Sequence, residues 1–323
     1  MKRLFLIFLA CVALSASSSA SLAASPAVSP NKNLNVVFIP KSSDQDYWVF
    51  MRDGVDKGIR EAGNVSLTWR GPSYNDDTDS QINILRAYTR PGIDAIIIAP
   101  TDRARLLEPV KKAAALGIKI IVVDSAVDGN AHQNFITTDN YVAGALAAKH
   151  MSDLLNAQGN VVVFRTVEGS ASTDDRARGF VDYLKKTSPK MVIVADSYGG
   201  GSRGKALHSA AKLLESTPDI DGIFAVNESS IDGMLRALRT AGRAGKIKLI
   251  GFDSTDFLIE GMEKREVNGL VVQNPRQMGY LAIKAAIAAI NNASGAEKNL
   301  FTEATMVTPE NYRDREIKAL LVP

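Results

Sequence analysis

The chain has 323 residues and a formal net charge of +3, and 46% of its residues are hydrophobic and 23% charged. A single domain usually has about 100 to 200 residues, so this length favours two domains. The composition indicates a folded protein with a substantial core and argues against extensive disorder, and the small net charge argues against a nucleic acid or an anionic membrane surface as a partner.

The first predicted element is an N-terminal signal peptide. Lys2 and Arg3 precede an apolar run, and small residues follow as far as Ala24. This order is typical of a secretory signal over residues 1–24, and the apolar run is shorter than the roughly 20 residues that span a bilayer. Cleavage there also removes Cys11, the only cysteine, and with it any thiol or disulfide chemistry. The sequence therefore predicts a periplasmic protein, with a lipoprotein anchored at Cys11 as the less favoured alternative.

Short β-branched runs then alternate with longer segments of helical period, almost to the C-terminus. Most of the runs are continuously apolar, as strands buried on both faces of a parallel sheet are. The sequence therefore predicts parallel sheets covered by helices. The predicted strands are Asn35–Ile39, Val65–Trp69, Ala95–Ala99, Lys119–Val123, Val161–Arg165, Met191–Ala195, Gly222–Val226, Lys248–Phe252 and Gly269–Val272.

Three of the intervening segments place apolar residues three or four positions apart, which predicts helices with one buried face. We interpret these stripes as core. They comprise Trp48, Met51, Val55, Ile59 and Ala62, then Leu106, Val110, Ala113 and Gly117, then Ile231, Met234, Leu235 and Leu238. The polar stretch from Asn134 to Asn140 is the best candidate for a boundary between two βα series.

Polar and aromatic side chains lie where several of the predicted strands end, and ligands of open α/β sheets bind beyond the carboxyl ends of the strands. Carboxylates accept protons from sugar hydroxyls, amides and cations donate to the hydroxyl oxygens, and aromatic rings cover the apolar face of a sugar ring. The set therefore predicts a site for a small polyhydroxylated ligand. The predicted ligand-binding residues are Lys41, Tyr47, Trp48, Asp124, Arg176, Asn227, Asp253 and Gln273.

Several of these residues also have a simpler structural interpretation. Asp124 and Asp253 are candidate helix N-caps, Arg176 is a candidate surface ion pair, and Tyr47 and Trp48 are candidate core residues. Binding is favoured because so many groups of this kind fall at strand ends.

Neither catalytic residues nor metal ligands are predicted. Residues 199–206, GGGSRGKA, nearly match a phosphate-binding P-loop, but Ala206 stands where that motif needs Ser or Thr to hold Mg²⁺. The three histidines have neither metal-ligand spacing nor a partner nucleophile. Asp124 and Asp253 do not by themselves indicate a glycosidase, because the sequence does not give the distance between the two carboxylates. We therefore expect no enzymatic activity and no cofactor.

Six motifs resemble those of the periplasmic sugar-binding proteins of ABC importers, the family that includes ribose-binding protein and shares its core fold with LacI-type repressors. The resemblance extends from Asn35 to the C-terminus. A repressor would carry a basic helix-turn-helix before the first strand, where this chain has its predicted signal peptide. The motifs are DYW at 46–48, IVVDS containing Asp124, DRARGF from Asp175, FAVNE containing Asn227, IGFDST containing Asp253 and VVQNP containing Gln273.

This resemblance implies the type I periplasmic binding protein fold, an α/β architecture of two Rossmann-like lobes joined by a three-strand hinge, each lobe a parallel sheet flanked by helices. It implies hinge crossings near Thr137, Gln273 and Met306. The implied N-terminal lobe contains residues 34–137 and 274–305, and the C-terminal lobe contains residues 138–273 and 306–323.

By the same resemblance, five of the predicted residues match hydroxyl-binding positions and two match stacking aromatics. The implied function is to capture a monosaccharide or sugar-like polyol and to deliver it to an ABC permease in the inner membrane. A chemoreceptor or sensor kinase is a further candidate partner, and we expect a monomer that binds no nucleic acid. The hydroxyl-binding positions are Asp124, Arg176, Asn227, Asp253 and Gln273, and the aromatics are Tyr47 and Trp48.

The chain also departs from that family. Ser125 stands where ribose-binding proteins have Arg, which removes a forked donor, and we expect Lys41 to compensate as a cation. The glycine-rich loop lacks the family's aromatic residue, and Tyr198 is the candidate substitute. FIPK at 38–41 and DYW at 46–48 resemble the periplasmic autoinducer-2 receptors. The alternative function is therefore a receptor for a furanose-like signal that reports to a membrane sensor.

Overall fold

The computed structural model describes residues 32–293 and 297–321, so the predicted signal peptide lies outside it. Twelve strands within these residues form two six-stranded sheets, and helices cover both sheets. No helix in the described part of the chain is long and apolar enough to cross a bilayer.

The first sheet is parallel throughout. It contains β1 (Leu34–Ile39), β2 (Val65–Trp69), β3 (Ala95–Ile98), β4 (Lys119–Val123), β5 (Asn134–Thr138) and β11 (Asn299–Thr302). The strand order is β2–β1–β3–β4–β5–β11, and every neighbouring pair is parallel. Every residue of β3 is buried, as its continuous apolar run predicts.

The second sheet is parallel except at one edge. It contains β6 (Gln158–Arg165), β7 (Lys190–Tyr198), β8 (Gly222–Ala225), β9 (Lys248–Phe252), β10 (Gly269–Val272) and β12 (Thr305–Val307). The order is β7–β6–β8–β9–β10–β12, and β12 runs antiparallel to β10. The predicted parallel sheet flanked by helices is therefore confirmed, with one antiparallel strand at its edge. A parallel neighbour requires a long crossover connection, whereas β12 follows directly from β11 of the other sheet.

Ten helices flank these sheets within the described residues. Two of the predicted stripes lie on α1 and α7, and the third overlaps α3, which contains Val110 and Ala113 but neither Leu106 nor Gly117. The four stripe residues of α7 are buried in the core beneath the second sheet. Helix α1 packs on α9 so closely that a Cβ at Gly54 would lie 1.8 Å from the carbonyl oxygen of Arg276. The helices are α1 (Asp46–Ala62), α2 (Thr78–Tyr88), α3 (Leu107–Ala115), α4 (Asn140–Leu154), α5 (Ala171–Thr187), α6 (Arg203–Ser216), α7 (Glu228–Thr240), α8 (Asp256–Glu263), α9 (Pro275–Ile290) and α10 (Arg315–Leu321).

The chain changes sheet three times, after β5, after β10 and before β12. Helix α4 shares the core of the second sheet, and α9 shares the core of the first. These placements support the proposal that two lobes are divided at the boundaries given above.

Strand β5 lies in the polar stretch that the sequence indicates as a boundary. Its polar side chains are buried but have partners, because Asn134 Nδ2 donates to the carbonyl oxygen of Glu297 at 2.7 Å and Thr137 Oγ1 donates to that of Asp124 at 2.7 Å. An apolar run is therefore not required for a buried strand when its side chains bond to neighbouring backbone.

Candidate functional site

One cavity lies between the carboxyl ends of the two sheets, and all eight residues that the sequence predicts for ligand binding line it. The space between the lining atoms is about 340 Å³, including the part that is open to solvent. The first sheet and α1 contribute Lys41, Tyr47, Trp48 and Asp124, and the second sheet with its helices contributes Arg176, Asn227, Asp253 and Gln273. Six further residues complete the lining: Gln45, Asn75, Thr166, Ser170, Ser172 and Thr173.

Asp124 and Lys41 form a buried ion pair on the first-sheet side. Lys41 Nζ lies 3.0 Å from Asp124 Oδ2, and the two side chains are 7% and 5% exposed. Nζ also donates to Ser172 Oγ at 2.9 Å and Ser170 Oγ at 3.2 Å, which belong to the opposite side of the cavity. Burial lowers the pKa of Lys41, and Asp124 opposes that change. Lys41 thus supplies a cation beside Asp124. That it compensates for the arginine that this chain replaces with Ser125 stays a prediction.

Tyr47 and Trp48 open α1 and lie edge to face, with ring centroids 5.0 Å apart. The Tyr47 hydroxyl donates to Asp124 Oδ1 at 2.9 Å. Burial and the nearby Asp124 raise the pKa of Tyr47 well above its usual value, so the phenol remains a donor. Both rings also pack in the core of the first sheet, which fits the core interpretation, while their contact with a ligand stays a prediction.

Arg176 lies on α5 and is only 2% exposed, so its interpretation as a surface ion pair is wrong. Its Nε donates to Asn140 Oδ1 at 2.8 Å and its Nη1 to the carbonyl oxygen of Val226 at 3.1 Å. The guanidinium carbon lies 4.1 Å from the centre of the Phe252 ring. These contacts fix the orientation of a full positive charge at the cavity wall.

Asp253 accepts a hydrogen bond from Gln273 Nε2 at 2.7 Å and from the backbone N–H of Glu228 at 3.2 Å. Burial raises the pKa of Asp253, and Arg176 opposes that change. Asp253 and Asp124 both have left-handed backbone, with φ of 68° and 64°. Non-glycine residues seldom adopt this conformation, and it turns each carboxylate into the cavity directly after its strand.

One of the predicted ligand-binding residues, Asn227, is a helix cap, although the sequence suggested that role only for Asp124 and Asp253. Asn227 caps α7, because its Oδ1 accepts from the backbone N–H of Ser230 at 3.2 Å. The cap of α8 is Thr255, so Asp253 does not cap the helix that follows it. Asn227 therefore combines a capping role with a place in the cavity lining.

Sequence reasoning missed Gln45 and Asn75. Gln45 Nε2, Asn75 Oδ1 and the indole Nε1 of Trp48 are buried and have no hydrogen-bond partner among the described residues. Buried polar atoms normally have partners, so these three are candidate ligand contacts. Asn75 lies in the loop between β2 and α2, well beyond the residue directly after the strand, so the strand-end pattern does not indicate it.

Tyr198 is about half exposed and lies outside the cavity lining, so the expectation that it replaces the family's aromatic residue is wrong. The glycine-rich segment before α6 does not form a phosphate cradle either. The backbone N–H of Gly201 and Lys205 Nζ both donate to Asp76 Oδ2, at 3.3 and 2.5 Å. A carboxylate of the same chain thus binds an N–H group and the lysine of this segment. Nowhere in residues 32–293 and 297–321 do three or more His, Cys, Asp or Glu side chains form a candidate metal site.

Comparison with known proteins relates this architecture to one family. The family model described as "Periplasmic binding protein domain" matches residues 36–294. The D-ribose/D-allose-binding protein of Pseudomonas aeruginosa is 30% identical over 88% of this chain and 89% of its own. A carbohydrate-transporter solute-binding protein and an ABC-transporter solute-binding protein of known structure each superpose with a TM-score of 0.85. The first is from Agrobacterium radiobacter, was solved with D-arabinose, and is 33% identical over 90% of this chain and 99% of its own. The second is from Agrobacterium vitis, was solved with D-fucose, and is 32% identical over 89% of this chain and 100% of its own.

Proposed function

Because the chain belongs to the periplasmic binding protein family, we propose that it is the solute-binding protein of an ABC transporter and captures a monosaccharide or sugar-like polyol between its two lobes. The observation that carries this proposal is the convergence of eight polar and aromatic residues from both sheets on one cavity. Relatives that are named or solved with ribose, allose, arabinose and fucose support a monosaccharide as the ligand class.

The chemistry of the lining suits hydroxyl groups. A sugar hydroxyl both donates and accepts, and the cavity offers the carboxylates of Asp124 and Asp253 as acceptors and the guanidinium of Arg176 as a donor. Gln45, Trp48 and Asn75 add two donors and one acceptor that lack other partners. The faces of the aromatic rings supply an apolar wall for the C–H groups of the ring.

Capture proceeds by closure of the lobes. The ligand binds to one lobe, and rotation at the three crossings brings the residues of the other lobe over it. Water is excluded, so each polar contact strengthens in the enclosed site. Only a higher affinity of the ligand for the closed form can drive this change, and the closed face is what the inner-membrane permease recognises.

The remaining assignments follow from this role. The protein is exported to the periplasm after loss of its signal peptide, acts as a monomer and is not an enzyme. A chemoreceptor or sensor kinase is a further partner in the same compartment. The furanose-like signal of autoinducer-2 remains the alternative ligand, but the relatives described above are named for sugars.

A thermal-shift screen of pentoses, hexoses, polyols and autoinducer-2, followed by calorimetry, tests the proposal. A ligand at 100 times its dissociation constant stabilises the folded state by about 2.7 kcal/mol, which such a screen detects. We expect at least one aldose or polyol to raise the melting temperature. A protein that no sugar or polyol stabilises would not be a sugar carrier.

A further inference from the structure

Two contacts beside the cavity join the lobes, and in each of them an acidic side chain of one lobe lies at the start of a helix of the other lobe. In the first, the carboxyl group of Glu228, which begins α7, lies at the N-terminus of α1 on the other lobe. Its Oε1 accepts from the backbone N–H of Asp46 at 3.2 Å and its Oε2 from that of Tyr47 at 3.0 Å. Arg203 bonds to the same carboxyl group and donates from Nη1 to the carbonyl oxygen of Asp44 at 2.7 Å. The free N–H groups of a helix N-terminus are thus satisfied by an acid of the opposite lobe.

In the second contact the roles of the two lobes are exchanged, because the acid belongs to the first lobe and the helix to the second. The carboxylate of Asp76, from the first lobe, lies at the start of α6 on the second lobe, where it accepts from Gly201 N–H and from Lys205 Nζ. The backbone N–H of Asn75 donates to the carbonyl oxygen of Gly201 at 3.1 Å. The P-loop-like segment is therefore a receptor for a loop of the same protein.

Gly201 is sterically required for this second contact. A Cβ at position 201 would lie 2.4 Å from the backbone nitrogen of Asp76, which cannot move without displacing the whole loop. Gly204, three residues later in the same segment, has nothing within 4 Å of its Cβ position. Because Asp76 belongs to the opposite lobe, a methyl group at 201 collides only when the lobes are together.

Both contacts are coupled directly to the cavity. Tyr47 and Asn75, whose backbone N–H groups take part, line the cavity with their side chains, and Glu228 follows the lining residue Asn227. The two contacts therefore form only when the ligand-facing groups of both lobes are in place.

We propose that these two contacts constitute a latch, formed by Glu228, Arg203, Gly201 and Lys205 of one lobe and residues 44–47 and 75–76 of the other, that holds the closed state and sets the residence time of the ligand. This inference rests on the proposed function. Glu228, Arg203, Gly201, Lys205 and Asp76 lie outside the cavity lining and act on affinity by positioning the lobes, whereas Tyr47 and Asn75 join the latch through their backbone N–H groups.

The test compares Gly201→Ala with Gly204→Ala in the purified protein, using as probe the sugar that the thermal-shift screen identifies. Stopped-flow tryptophan fluorescence gives the association and dissociation rates separately. We expect Gly201→Ala to raise the dissociation rate at least about tenfold with the association rate within about twofold of wild type, because the collision arises after encounter. Gly204→Ala should match wild type in both rates, and both variants should melt without ligand at or above the wild-type temperature.

Asp76→Ala provides a second test that adds no atom, and it should also accelerate dissociation. Equal dissociation rates in wild type, Gly201→Ala and Asp76→Ala would overturn the latch while leaving sugar binding intact. Acceleration in Gly204→Ala equal to that in Gly201→Ala would overturn it as well. If no sugar binds the wild type, the proposed function fails, and the latch fails with it.

Discussion

Replacing Asp124 by Asn tests the buried ion pair at the centre of the cavity. Asn tolerates the left-handed backbone found at this position, and its amide oxygen can still accept from Tyr47, so the change removes the charge with little strain. Lys41 then loses the anion that opposes the effect of burial on its pKa, so closing the site either buries an unpaired ammonium group or removes its proton, and both cost free energy. Removing one partner of a buried pair costs about 3–5 kcal/mol, and each 1.4 kcal/mol is a factor of ten in the dissociation constant. We therefore expect ligand affinity to fall by roughly 10² to 10³ or more.

The loss should appear in binding and not in the stability of the free protein, because Lys41 is enclosed by serines of the opposite lobe. Calorimetric titration with the identified sugar measures the affinity, and a melt without ligand measures the stability. Asp56→Asn removes an exposed ion pair with Arg52 and serves as the control, with a change below about 1 kcal/mol. Combining Asp124→Asn with Lys41→Met should cost less than the sum of the single changes. An Asp124→Asn protein that binds within threefold of wild type would refute this reasoning.

Three other predictions concern separate parts of the molecule. Trp48→Phe keeps an apolar ring but loses the unpartnered indole N–H, so the binding free energy measured by calorimetry should weaken by about 0.5–1.5 kcal/mol. Trp48→Ala should weaken binding further, because the ring is lost as well. Unchanged affinity in both variants would assign Trp48 to the core alone. Burial raises the pKa of Glu228 to about 8 from its usual 4.5, so its contribution to the stability of the closed, ligand-saturated protein is complete below about pH 4.5 and is lost as the pH rises to about 8. With saturating sugar, the melting temperature should therefore fall over this range more steeply in wild type than in Glu228→Gln. Parallel curves of melting temperature against pH would contradict the assignment. Mg·ATP should not raise the melting temperature, because Lys205 and the Gly201 N–H are bound to Asp76 and Ala206 cannot hold Mg²⁺. Aryl glycosides should not be hydrolysed either. A clear thermal shift or turnover would reopen the enzyme alternatives.

The sequence predicts most of the fold because buried parallel strands leave continuous apolar runs, such as Ile96–Ile98, and helices leave stripes, such as that of α7. It predicts the location of Asp124, Asp253 and Gln273 because side chains directly after parallel strands meet at one edge of a sheet. Tyr47, Trp48 and Arg176 lie on helices, and the family motifs indicate them. Strand β5 is missed because its threonines satisfy their hydroxyls on neighbouring groups, a compensation visible only in three dimensions.

Other features depend on contacts between distant segments and leave no local pattern. Nothing near Glu228 in the sequence indicates that its carboxyl group meets the start of α1, 182 residues away. The glycine-rich segment has the composition of a phosphate loop, and only its contact with Asp76 shows what it binds. The position of Tyr198 in the sequence makes it the candidate for the family's missing aromatic residue, but its side chain lies on the exposed face of the edge strand β7.

The passage of the chain back and forth between the two sheets has a consequence for biosynthesis. The first sheet begins at residue 34 but lacks its edge strand until β11, at Asn299–Thr302, has left the ribosome. The N-terminal half therefore cannot reach its final form while translation is under way, and contacts this distant in sequence form slowly. A truncation that removes β11 and β12 would take one edge strand from each sheet, so both sheets depend on the last part of the chain.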